Sequence, residues 1–114
     1  MTRRWIAIEK KGKLVATQVE ATLVPGIPGV FISEDPRKKG RYAITHRGTG
    51  LRVGTYLFRN RKAAKTVVIQ LTKAMGIDWT IKDGKVLLNS FPGIDKRMTK
   101  IIKDNQISVE RGPV

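Results

Sequence analysis

Arg41, Arg47 and Arg52 are spaced so that a hairpin turning at Gly48-Thr49 would project all three guanidinium groups from one face. Guanidinium forks bond phosphate oxygens two at a time, so three on one surface suit a polyanion. The same alternation sets Ala43, Thr45, Gly50, Gly54, Tyr56 and Phe58 beside them, giving cations interleaved with rings and small residues. An exposed ring stacks on a base for about 1–3 kcal/mol without reading its identity. Tyr56 is the stacking candidate, with Trp5 extending the platform; a second small core is the competing use of these rings, and the favoured one for Phe58 and Trp79.

The basic loop Arg37-Lys38-Lys39-Gly40-Arg41 would neutralise phosphates and release their counterions, which positions a strand without specifying sequence. Arg61, Lys62 and Lys65 are on the first turns of a helix, where the backbone dipole already favours anions. The binding set is therefore Arg37, Lys38, Lys39, Arg41, Arg47, Arg52, Tyr56, Arg61, Lys62 and Lys65. Lys10, Lys11 and Lys13 form a second patch at another hairpin tip.

His46 is the only histidine and could act as general acid or base beside Arg47, Thr49 or Tyr42, with Glu34 as partner carboxylate. That would make the chain a metal-independent ribonuclease or toxin. Nothing in the sequence places those groups together, and a lone strand histidine at a hairpin end is more often structural. A non-enzyme is the preferred reading, with no catalytic residue, metal or cofactor expected. Cysteine is absent, which excludes disulfides and thiolate metal sites.

Two strands flanking Lys11-Gly12 come first, with Ile6, Ile8, Val15, Thr17 and Val19 on one face and Trp5, Ala7, Ala16 and Gln18 on the other. The Pro25-Gly26-Ile27-Pro28-Gly29 run breaks the sheet ladder, and Val30-Phe31-Ile32 forms a third strand. In the next hairpin His46 faces Leu51, Ile44 faces Val53 and Tyr42 faces Thr55, so that these residues and Leu57 make the core face. Spacing of Ala64, Val67, Val68, Leu71, Ala74 and Met75 predicts a helix over 61–75, capped by Asn60 and ended by Gly76. Asp83-Gly84 between Trp79-Lys82 and Lys85-Leu88 predicts a hairpin. Ile94, Met98, Ile101 and Ile102 then predict a second helix with Lys96, Arg97, Lys100 and Lys103 outward. A DNA-reading helix-turn-helix is disfavoured, since the 79–88 hairpin separates the two helices.

The fold class is thus α+β, a curved antiparallel sheet of about five strands on one long helix, followed by a hairpin and a short C-terminal helix. Residues 1–114 read as one domain, with 1–76 as sheet-plus-helix core and 77–114 as extension. Over about residues 5–76 the order of five strands and a helix resembles the Whirly-type single-strand-binding and transcriptional-coactivator folds; this likeness lies in topology and no motif carries it. It implies a sheet face and loops that hold nucleic acid.

Charge agrees with a polyanionic partner. The chain holds 23 basic and 9 acidic residues, a net +14, and 36–65 contains ten Arg or Lys with no Asp or Glu. Self-repulsion on that scale favours a partner that supplies negative charge. No long apolar run suggests a signal peptide or membrane span, so a cytoplasmic protein is expected. The expected function is binding of single-stranded or distorted DNA or RNA with low sequence preference. A viral inhibitor or adaptor docking on an acidic protein surface or a nucleoprotein complex is the remaining alternative. A homodimer could pair through an edge strand, Val30-Phe31-Ile32 or Val86-Leu87-Leu88.

Overall fold

The computed structural model describes residues 2–111 and is an α+β fold of six strands and three helices. In chain order these are β1 (Thr2–Lys10), β2 (Lys13–Leu23), β3 (Val30–Glu34), β4 (Tyr42–His46), β5 (Tyr56–Phe58), α1 (Arg61–Met75), α2 (Gly84–Ser90), α3 (Ile94–Asp104) and β6 (Val109–Arg111). The strands pair antiparallel in the order β1-β2-β3-β4-β5-β6.

The first hairpin has the register its sequence predicts, with Ile6 opposite Thr17 and Ile8 opposite Val15. Lys11 and Gly12 both take positive φ, 51° and 77°, which matches the twist of the flanking strands. Helix α1 also has the predicted bounds. The Asn60 side chain accepts from the Ala63 amide at 2.8 Å, and Gly76 closes the last turn at φ 65°. Ala64, Val67, Val68 and Leu71 are its buried stripe, joined in the main core by Val30, Ile32, Ile44, Tyr56, Phe58, Trp79 and the inward side of α3.

Three expectations are corrected. The 79–88 hairpin is not there: Asp83 caps α2, its Oδ1 accepting from the Lys85 and Val86 amides at 2.8 and 3.2 Å. Aspartate before glycine serves a helix start as well as a turn, and of the apolar run Val86-Leu87-Leu88 only Leu87 is buried. The backbone of 79–82 is engaged elsewhere, since the Ile81 carbonyl accepts from His46. Neither proposed dimer edge is an edge, because β3 lies between β2 and β4 while 86–88 is helical.

The third correction concerns strand parity. Thr45 is opposite Arg52, as predicted, but the ladder resumes with Tyr42 opposite Phe58 instead of Thr55. Residues around Gly54, at φ 73°, loop out between those pairs. An odd number of extra residues exchanges the faces. Tyr56 and Phe58 therefore join the helix-side core, and Leu57 points the other way.

The second sheet face is not free either. Strand β1 curls over it, anchored by the Ala7 amide donating to the Gly50 carbonyl at 2.8 Å, and Ile6 and Ile8 pack with Ala21 and Phe31 as a second core. Full burial of an isoleucine side chain is worth about 1.5–3 kcal/mol, enough to hold the strand down. Ser33, Asp35, Ala43 and Thr45 are buried on this side.

Replacing the α2 cap, Asp83→Ala, should lower stability by about 1 kcal/mol, read as a shift of the denaturation midpoint, with Asp83→Asn recovering most of it.

Candidate nucleic-acid interface

The covered face decides the fate of the arginines. Arg52 projects beneath β1 beside Asp35, with Nη1 3.6 Å from Oδ2 and side chains only 12% and 3% exposed. Arg37 closes on the same carboxylate, Nε to Oδ1 at 3.2 Å and Nη2 to Oδ2 at 3.2 Å. Burial lowers the Arg52 guanidinium from its ordinary value, Asp35 raises it in part, and Arg37 adds a smaller lowering. Arg41 and Lys38 converge on Glu110 of β6, at 3.4 and 2.6 Å. The expected platform of three outward arginines is corrected: two are held by the protein's own carboxylates, and of the three only Arg47 is exposed and in no ion pair among the described residues.

Tyr56 is corrected from a stacking ring to a core residue. It is 7% exposed, bonds through its hydroxyl to Thr99 at 2.8 Å and Arg111 at 2.9 Å, and lies under the Arg111 guanidinium. Arg61 is half-buried over the Tyr42 ring, 4.6 Å from its centre. Lys39 and Lys62 are exposed and Lys65 half-buried, none of them in an ion pair among the described residues. Of the ten expected residues, Arg37 and Arg52 meet at Asp35, Lys38 and Arg41 meet at Glu110, and Tyr56 lies in the core.

His46 is 3% exposed, with Nε2 2.7 Å from the Ile81 carbonyl and Nδ1 3.0 Å from the Thr49 hydroxyl. The carbonyl can only accept, so Nε2 donates. The two bonds tie the turn after β4 to the 79–82 segment, and the ring is buried between them. Among the described residues no group of three His, Asp or Glu could hold a metal, and no helix is long and apolar enough to cross a membrane.

Sequence reasoning left α3 outside the binding set, although it placed the helix correctly. Ile94, Met98, Ile101 and Ile102 are buried, while Lys96, Arg97, Lys100 and Lys103 are exposed and enter no ion pair among the described residues. Helix α2 precedes it across the three residues 91–93, with Gly93 at φ 83°. Two helices joined by a short turn are thus present where a hairpin was expected.

No family model, curated protein or solved structure matches the chain. The order of five strands followed by α1 is present, and the second face of that sheet lies under β1.

Asp35→Asn, which strands Arg52 without its countercharge, should cost about 3 kcal/mol of stability in chemical denaturation. Glu110 is held below its ordinary 4.5 chiefly by the Lys38 side chain, with Arg41 adding to it and desolvation opposing. A lowered folded-state value means the clamp contributes above pH 4.5 and is lost as acid titrates the carboxylate below it. The Lys38 and Arg41 amide shifts should follow one titration whose midpoint lies under 4.5.

Proposed function

We propose that the protein binds nucleic acid through its phosphates, with α3 as the principal contact and little sequence preference. The observation that carries this reading is the outward row Lys96, Arg97, Lys100 and Lys103, which has no ion pair among the described residues while Asp35 and Glu110 are engaged elsewhere. From Lys96 to Lys103 the helix rises about 10 Å, a length over which a duplex presents several phosphates. Lys62 and Lys65 on α1 and Lys39 in the basic loop add to the positive field. Stacking passes from Tyr56 to Trp5, a ring 62% exposed on the outer side of the first hairpin.

The α2-turn-α3 arrangement favours a second mode, in which α3 lies in a duplex groove. The ribonuclease reading has no such support, because His46 is buried and the Glu34 carboxylate accepts from the Gly40 amide instead of facing the ring. Docking on an acidic protein surface would use the same field, and plain oligonucleotides would then fail to compete.

Lys100→Gln should leave the circular dichroism spectrum unchanged and lower the slope of log affinity against log salt by about one. Gel shifts on single- and double-stranded DNA and RNA over a salt series measure it. Affinity that is flat across the series, or a slope untouched by the substitution, would remove α3 from the interface.

A further inference from the structure

Two open grooves meet at the Pro28-Gly29 ridge. One, of about 300 Å³, follows residues 24–31 between Arg4 and Arg47; the other, of about 480 Å³, lies between Arg47 and Lys82. Among the described residues no carboxylate lines either groove. Arg47 is common to both, and neither it nor Lys82 enters an ion pair among the described residues. The Nε of Arg4 is buried without a hydrogen-bond partner, while its Nη1 donates to the Arg3 carbonyl.

Two glycines bring these distant cations together. A Cβ on Gly48 would stand 2.7 Å from the Lys82 Cα, and one on Gly29, at φ 90°, would stand 2.3 Å from the Trp79 carbonyl oxygen. No other residue lets the 79–82 segment settle so closely on both loops. The Arg47 amide donates to the Gly29 carbonyl at 2.9 Å and ties the loops to each other. Lys82 and Arg47 consequently line one groove, and Arg4 and Arg47 line the next.

We infer that this cleft binds the phosphodiester backbone of a single nucleic-acid strand, with Arg4, Arg47 and Lys82 each facing a phosphate. The inference rests on the nucleic-acid reading above but not on α3. Glycine and proline at the ridge leave the backbone bare, so a strand can approach it closely, and the missing carboxylates remove the usual competitor for a phosphate.

The test is fluorescence anisotropy with a short labelled oligothymidylate over a salt series. The double substitution R47Q/K82Q is compared with the charge-matched K73Q/K85Q on exposed helix positions. R47Q/K82Q should weaken binding about ten-fold and reduce the salt slope by about 1.4, the value for two lost contacts to a single strand, while R47K/K82R retains binding. K73Q/K85Q should have a clearly smaller effect. Equal losses in the two glutamine variants, or none in R47Q/K82Q, would overturn the cleft. If K96Q/R97Q weakens binding and R47Q/K82Q does not, the nucleic-acid reading stands without the cleft. If the unsubstituted protein does not bind the oligonucleotide, the cleft falls; if it also binds no duplex or RNA in the gel shifts, the nucleic-acid reading falls with it.

Discussion

Closure of β1 over the second face of the sheet is the constraint from which the charge distribution follows. Once Ile6 and Ile8 lie on that side, any residue alternating toward them must be apolar, small or neutralised. Phe31, Ser33, Ala43 and Thr45 meet the condition directly. Arg52 does not, and Asp35 supplies the countercharge beside it. A guanidinium that loses water without such a partner would cost several kcal/mol. Asp35 is thus tied to β1 through Arg52: were the strand to lift, Arg52 would be hydrated and the carboxylate would keep only Arg37.

The sheet hypothesis and the proposed interface differ for the same reason. Carboxylates are scarce, so where they stand determines which cations remain available. Asp35 and Glu110 both stand beside the basic run 37–52 and satisfy its Arg37, Lys38, Arg41 and Arg52. The stretch that looks most suited to a polyanion in the sequence is accordingly the one most engaged internally. Cations on α3 and on the 47 and 82 loops enter no ion pair among the described residues and keep their charge for solvent.

What the sequence makes legible is what is local. The Lys11-Gly12 turn fixes its own register, and the Asn60 cap, the 3.6-residue stripe and Gly76 together bound α1 without help from tertiary contacts. The inward residues of α3 are equally readable. Legibility ends where two local solutions exist for one motif. Asp83-Gly84 is a good turn and a good helix start, and the choice falls to Leu87 and Trp79, whose burial depends on the rest of the fold. Parity after Gly54 fails similarly: Leu51 and Val53 argue for one face up to the bulge, and nothing local announces the extra residues. Glu110 closing on Lys38 is a contact between segments far apart in sequence, which no pattern along the chain contains.

The spacing of the remaining cations discriminates between partners. Screening limits interaction between exposed charges to about 8 Å at physiological ionic strength, so isolated surface lysines act singly. Lys96 to Lys103 compresses four charges into about 10 Å of helix, within reach of one another. Two of them, Lys96 and Arg97, are in the first turn, where the exposed amides add positive potential and basic side chains weaken the helix. An anion there relieves repulsion that the fold otherwise tolerates. A phosphate polymer carries roughly one charge per 1.7 Å of duplex axis and can meet the whole row at once, whereas an acidic protein surface must assemble a comparable density from separate side chains. The row thereby favours nucleic acid on charge density alone, and leaves the grooves around Arg47 to determine which form of it.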